Sequence, residues 1–282
     1  MQNTYKKSGY LNSEFKIFYL TDNNSKEFEY HYHDFYKLLI FLKGNVRYSI
    51  EGREYDLQPN DIVLVNAGEI HRPVIHDNSP YERIIIYISP GFFDAYKNEN
   101  YDLFTCFRQS QKQHSNLLRL PDFTLEQLKP ITASLAKSFY KTDFATDLYQ
   151  KVKFIEYLIM LNRIILNEHI DYIPAVTLNP TVLQIMEYIN EHIVDNLSID
   201  SIADSVFLDR SYIMHLFKAE TGFTIGNYIT EKRLFLARHY IADGLSVTDA
   251  CYRSGFKNYT SFYHAYKNKY GTSPKTAISP YL

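Results

Sequence analysis

Tryptophan is absent from this chain of 282 residues, and cysteine nearly so. Any stacking of a side-chain ring on a ligand then falls largely to tyrosine, which occurs 26 times. The two cysteines, Cys106 and Cys251, make no disulfide framework. Cys251 falls on the apolar side of a helical pattern and reads as a small hydrophobe. Long apolar runs are missing too: none reaches the ~18 residues of a membrane-crossing helix. Met1 to Leu20 lacks the basic-then-apolar order of a secretory signal. A cytoplasmic protein with no membrane partner is expected. Strong charge is also lacking, the net value being −2 at pH 7, which excludes coating of nucleic acid by bulk charge. The small sum hides an asymmetry. Pro174 to Asp204 holds five acids and no lysine or arginine, whereas Ser205 to the end holds ten Lys+Arg against five Asp+Glu. A modestly basic tail suits specific recognition of DNA.

That basic part contains one unit written twice. Tyr212-Ile-Met-His-Leu-Phe-Lys218 lies over Ser261-Phe-Tyr-His-Ala-Tyr-Lys267, and a glycine follows four residues later in each copy, Gly222 and Gly271. The offset there is 49 residues, against 48 upstream, where Ile202-Ala203 lies over Ala250-Cys251 and Leu208 over Phe256. The second copy therefore carries one extra residue in its turn. Each copy reads as a helix-turn-helix. Ser198 and Ser246 are the expected caps of the first helices. The turns fall near 207–209 and 255–258, and glycines stop the second helices. With Ile213, Leu216 and Phe217 inward, Arg210, Ser211, Met214, His215 and Lys218 remain for an outer face. With Phe262, Ala265 and Tyr266 inward, Thr260, Ser261, Tyr263, His264 and Lys267 remain in the second copy, with Asn258 and Tyr259 beside them as further DNA-contact candidates. Such faces suit base edges and phosphates in a major groove.

Arg233-Leu-x-x-Ala237, Gly255-Phe256, Lys267 and Tyr270-Gly-x-Ser-Pro274 resemble the AraC/XylS class of bacterial transcription regulators, over roughly Pro180 to Ile278. The resemblance implies two helix-turn-helix units joined by a long helix, here about Ile225 to Ala242, entering successive major grooves of promoter or operator DNA. RNA polymerase is a further candidate partner. Two departures stand out. Phe207 occupies a turn position where the family often has glycine. His215 and His264 stand where it usually has arginine, so contacts to phosphate or guanine there are expected to be weaker.

The N-terminal part is strand-like. Phe15–Leu20, Leu38–Leu42, Val46–Ile50, Glu54–Leu57, Asp61–Val65 and Arg83–Ile88 are short β-rich runs separated by Gly-, Asn- and Pro-bearing turns, as in a small barrel or sandwich. His31-Tyr-His33-x-x-x-Lys37 with Gly44, and Asn66-x-Gly68-x-x-His71, resemble the two cupin motifs, with Lys37 where cupin enzymes place a glutamate. The resemblance implies a small-molecule chamber around His31, His33 and His71. Three histidines can hold zinc or nickel, but an ammonium at position 37 repels a cation, and no metal or other cofactor is expected. A polar ligand, sugar-like among the classes considered, is expected against His31, His33, Tyr36, Lys37, Tyr48 and His71. Tyr36, Tyr48 and Tyr87 either line the barrel or belong to its core.

Residues 100–116 read as irregular. One helix then opens at Thr124 and another runs from about Phe144 to His169. The second bears a wide apolar stripe of Leu148, Val152, Ile155, Leu158, Ile159, Leu161, Ile165 and Leu166. This stripe is either a homodimer face or packing on the barrel. Pro174 and Pro180 mark a linker, and a helix follows from Pro180 through Asn196.

The expected architecture is a two-domain α+β protein: a cupin-like β-barrel with a helical appendage (1–120 and 121–170), a linker (171–180), and an all-α double helix-turn-helix domain (181–282). The expected function is a ligand-responsive, sequence-specific transcription regulator of the AraC type, not an enzyme. The competing readings are a cupin-type metalloenzyme fused to a DNA-binding unit, and a ligand-independent DNA binder whose barrel only mediates assembly.

Overall fold

The computed structural model describes residues 11, 13–22, 28–140, 142–167, 170, 172–177, 179–242 and 244–276. The expected helix end at His169 and the expected motif end at Ile278 lie outside them. The chain divides into two compact units, residues 1–50 with 54–176, and residues 51–53 with 177–282.

The first unit is built on β1 (Phe15–Asp22), β2 (Tyr36–Lys43), β3 (Val46–Ile50), β4 (Arg53–Asp56), β5 (Ile62–Val65), β6 (His71–Ile75), β7 (Tyr81–Ile88), α1 (Pro90–Ala95), α2 (Thr105–Lys112), β8 (Leu117–Leu118), α3 (Asp122–Lys137) and α4 (Thr146–Asn167). A two-residue strand, β9 (Val176–Thr177), follows. The strands form two sheets, ordered β1-β7-β2-β5-β8 and β6-β3-β4-β9. Among the described residues they make an open, cupin-like sandwich rather than a fully hydrogen-bonded ring.

Strand alternation assigns the two faces of the first sheet. Leu38, Ile40, Leu64, Ile84, Ile86 and Ile88 point to one side and pack with Phe107, Leu128, Leu135, Phe154, Leu158 and Leu161 of the helices. Leu39, Phe41, Val63, Val65 and Ile85 point to the other, against Val46, Tyr48, Ile50 and Tyr55 of the second sheet. Buried on both sides, the middle strands β2, β5 and β7 are largely apolar. That composition makes β2, β5 and β7 easy to read.

Several sequence expectations need correction. β6 had been missed because Arg72 and Pro73 break the apolar pattern; it is an edge strand, where proline is tolerated. The stretch 100–116 is not irregular throughout. It contains α2, whose Cys106, Phe107 and Ser110 are buried. α3 opens at Asp122, and Thr124 is a buried residue inside it. The stripe on α4 divides: Leu158 and Leu161 are wholly buried, whereas Leu148, Val152, Ile159 and Leu166 are 60, 53, 37 and 64% exposed.

The second unit comprises α5 (Pro180–Glu191), α6 (Ile199–Ser205), α7 (Arg210–Thr221), α8 (Ile225–Ala242), α9 (Val247–Arg253) and α10 (Tyr259–Tyr270). α5 starts with Asn179 as cap and Pro180 in its first turn but stops at Glu191, short of Asn196. The duplication is exact in length: α6 and α9 have seven residues each, α7 and α10 twelve. The caps repeat as well. Ser198 and Ser246 accept backbone N–H groups at the first helices, Asp209 and Asn258 at the second, and Gly222 and Gly271 end both second helices with φ of 75° and 71°.

Candidate functional site

In the first unit, one reciprocal backbone pairing joins the two cupin-like segments. His31 N–H donates to the His71 carbonyl at 3.1 Å, and His71 N–H to that of His31 at 2.8 Å. The imidazoles follow, with ring centroids 4.5 Å apart, and His33 lies 5.0 and 5.1 Å from the two. The β2 strand contributes Lys37, whose Nζ donates to Tyr48 Oη at 2.7 Å and lies 3.4 Å from His71 Nε2. Lys37 pairs in register with Tyr87 of β7 and Val65 of β5. Residues paired in this way share a face, so Tyr87 belongs with this group, 5.3 Å from His33. Tyr36 does not. As the next residue on the strand it points the other way, among Phe93, Phe104 and Phe107. The sequence expectation that it joins the ligand site is corrected by this pleat. Phe35, stacked on His33 at 4.5 Å, was missed, because nothing in its spacing separates a stacking ring from a core ring.

Burial sets the protonation of the cluster. Lys37 is pushed down to about 7, first by loss of water and then by the Arg83 guanidinium. His31 is lowered to about 4 by burial and by Lys37, against the opposing effect of its bond to the Glu29 carbonyl. His71 is held well below the usual histidine range, chiefly by burial. Nδ1 of His31 faces the Glu29 carbonyl and Nδ1 of His71 the Glu69 carbonyl, both at 2.9 Å. A carbonyl can only accept, so Nδ1 carries the proton in each. Each neutral ring then presents Nε2 as a lone-pair acceptor. The same tautomer would suit metal ligation, and the three histidines' ligating atoms lie within 4.8 Å of one another. Lys37, however, sits at the very nitrogen that His71 would offer, and in its charged form opposes a cation. The donor set fits a metal poorly. The His31 acceptor beside a lysine donor, a tyrosine hydroxyl and aromatic rings instead fits a polar, uncharged molecule.

In the second unit, Ile213 and Phe217 of α7 and Phe262 and Tyr266 of α10 are buried, while Arg210, Ser211, Met214, His215, Lys218, Thr260, His264 and Lys267 are exposed. Both outer faces are therefore continuous. Tyr259 and Tyr263 are half-buried; Tyr259 packs against the hydrophobic cluster of Leu234, Ala250 and Phe262. Asn258 spends its side-chain oxygen on capping α10, accepting from Ser261 N–H at 2.8 Å. Arg210 rests on Asp200 at 3.3 Å. Behind the faces, Arg233 of α8 donates from Nε to the Ile193 carbonyl at 2.9 Å and from a terminal nitrogen to the Asp195 carbonyl at 2.7 Å. Gly255 lies against this clamp. A Cβ there would come within 2.6 Å of the Ile193 carbonyl and 2.8 Å of Arg233 Nε, at a φ of +90°, so only glycine fits.

A sheet-rich unit with a buried polar cluster, followed by a duplicated helix-turn-helix unit, defines a ligand-responsive DNA-binding regulator. Residues 16–141 match the family described as the AraC-like ligand binding domain, and residues 202–278 match a helix-turn-helix domain family. The chain belongs to the AraC/XylS-type transcription regulators with an N-terminal ligand-binding domain. Curated relatives include the HTH-type transcriptional activators RhaS of Shigella sonnei (strain Ss046) and Escherichia coli O81 (strain ED1a). Each is 24% identical over 250 residues, covering 88% of this chain and 87% of the relative. Similar solved structures include unsaturated fatty acid bound wild-type ToxT from Vibrio cholerae strain SCE256, at 14% identity and a TM-score of 0.38 over 95% of each chain. The C-terminal domain of AraT, a response regulator from Geobacillus stearothermophilus, matches 37% of this chain and 93% of its own at 24% identity and a TM-score of 0.35. No helix among the described residues is long and apolar enough to cross a membrane.

Proposed function

We propose that this regulator acts in the cytoplasm as a homodimer and responds to a small, neutral, hydroxyl-rich molecule, sugar-like in its chemistry, held by His31, His33, Lys37, Tyr48 and His71. The observation that carries the ligand class is the uncharged Nε2 acceptor of His31 set beside the Lys37 donor, which already engages His71 Nε2 and Tyr48 Oη. The output is carried by Arg210, Ser211, Met214, His215 and Lys218 on α7, and by Asn258, Tyr259, Thr260, Tyr263, His264 and Lys267 on α10. Each set reads one of two successive major grooves of promoter DNA. Activation would bring RNA polymerase in as a partner, in keeping with the activator titles of the relatives.

Dimerisation falls to the exposed part of the α4 stripe. Leu148, Val152, Ile159 and Leu166, the exposed members of the stripe, are spaced four and seven residues apart and so lie along one face of the helix. A second copy of this chain supplies the same face. Leu158 and Ile165 are not part of it, because one is core and the other packs against the core.

Footprinting tests the DNA reading. Arg210→Ala and His215→Ala should weaken protection of one half-site, and Thr260→Ala and His264→Ala that of another about one helical turn, ~34 Å, away. If both sets of variants lose protection at the same base pairs, the two-groove reading fails.

A further inference from the structure

Lysine is among the residues least often buried, and a buried one is normally paired with an acid. Lys37 keeps only 4% of its surface exposed. Its Nζ donates to Tyr48 Oη at 2.7 Å and lies 3.4 Å from His71 Nε2. Neither partner is an acid, and among the described residues no carboxylate pairs with this amine. Glu69, two residues before His71, spends its carboxylate on Asn66 and Asn116. The charged group that does act on Lys37 is the Arg83 guanidinium, a second cation. Loss of water and a neighbouring cation are the two conditions that free a lysine amine of its proton and make it a nucleophile. The amine is also near the outside. His31 and Tyr87 are only partly buried, and the His31 ring lies 4.5 Å from the His71 ring that flanks Nζ. A molecule that reaches His31 is one ring away from the amine.

We infer that the histidine cluster captures a carbonyl compound covalently, as an imine on Lys37 Nζ. The inference rests on the reading of that cluster as the ligand site and names the ligand class within it: a polyhydroxy aldehyde or ketone, the open-chain form of a sugar. The nitrogen lone pair attacks the carbonyl carbon and forms the C–N bond. One amine hydrogen moves to the carbonyl oxygen, giving a carbinolamine. The second moves to the same oxygen as the C–O bond breaks, water leaves, and a C=N bond remains. Nothing is oxidised or reduced. Tyr48 Oη and His71 Nε2 flank the nitrogen and are placed to pass each hydrogen from nitrogen to oxygen. Attack of water on the imine reverses the sequence and releases the ligand, which keeps the capture reversible.

D-glyceraldehyde with sodium cyanoborohydride is a direct probe, because the hydride turns an imine into a stable secondary amine. The adduct adds the mass of the aldehyde less one oxygen atom. In the full-length protein at pH 7, peptide mapping should find Lys37 labelled more than about tenfold faster than the exposed Lys112 and Lys257, because an ordinary lysine is almost wholly protonated there. Urea should erase that preference. Lys37→Met should lose the fast label while Lys112 and Lys257 react as before. Xylitol, a polyol without a carbonyl, should slow the labelling of Lys37 alone. Labelling of Lys37 no faster than that of Lys112 and Lys257 would overturn the inference, as would a preference that survives urea. Should labelling fail, xylitol separates the imine from the site beneath it. A melting temperature raised in the parent but not in His31→Leu leaves the hydroxyl-rich site standing without the imine, and no rise in either removes the site as well.

Discussion

Two of the chain's departures from the motifs it resembles, Phe207 and Lys37, have a physical signature. Phe207 adopts a φ of +56°, in the left-handed region, with 93% of its surface exposed. Its equivalent in the second copy, 48 residues on, is Gly255, which has a φ of +90°. The two turns thus share a backbone shape that only one of them meets with the residue suited to it. A left-handed non-glycine residue costs ~1–2 kcal/mol, part of which glycine returns through a more flexible unfolded chain. Phe207→Gly loses almost no packing and should stabilise the second unit by roughly 0.5–1 kcal/mol, read by denaturant melts. No gain would mean that the turn is not strained as its φ implies. Lys37 is the second departure. Its pKa is about 7 in the folded chain against an ordinary 10.5. Below pH 7 it is charged in both states, and folding bears the full cost of a buried ammonium. Between about 7 and 10.5 the unfolded chain holds a proton that the folded chain does not, so stability from this group rises with pH. Lys37→Met should therefore help most near pH 7 and progressively less toward pH 10. A pH-independent difference between the two proteins would show that the amine is not held out of water.

At the scale of elements, α4 shows why periodicity alone is an incomplete guide. Its apolar residues cover both the side that faces α3 and the first sheet and the side that does not. A stripe that wide reads identically whether half of it or all of it is core. Placed in the fold, Leu158 becomes structural and Leu148 and Val152 become available for a partner. The double substitution Leu148→Glu with Val152→Glu should leave the helix content and melting temperature near those of the parent, because both positions are over half exposed. It should yield a monomer by sedimentation with much reduced operator affinity in gel shifts. A variant that stays dimeric, or a parent that is monomeric at micromolar concentration, would move assembly to another surface. The elements of the second unit were more legible, because Ser198, Asp209, Ser246, Asn258, Gly222 and Gly271 are all residues whose side chains or freedom of φ mark helix ends. α2 offered no such marks and few apolar positions, and β6 carries a proline inside it.

Taken as a whole molecule, the chain combines a sensing unit whose polar groups are buried with a reading unit whose polar groups are displayed. The family and the double helix-turn-helix were visible in the residues themselves; the selectivity proposed for the histidine cluster was not, because it depends on which ring nitrogens face carbonyls. The equal lengths and matching caps of α7 and α10 carry one more consequence. At an offset of 49, His215 and Lys218 already coincide with His264 and Lys267, so the two helices differ on their outer faces chiefly at Arg210, Ser211, Tyr212 and Met214 against Tyr259, Thr260, Ser261 and Tyr263. The operator of one subunit should then be two dialects of a single word, with the shared letters set by the histidine and lysine. Writing Arg210→Tyr, Ser211→Thr, Tyr212→Ser and Met214→Tyr into the first helix should make both dialects the same. Selection of bound sequences from a random pool would then return a tandem repeat of the downstream half, whereas the parent returns two unlike halves.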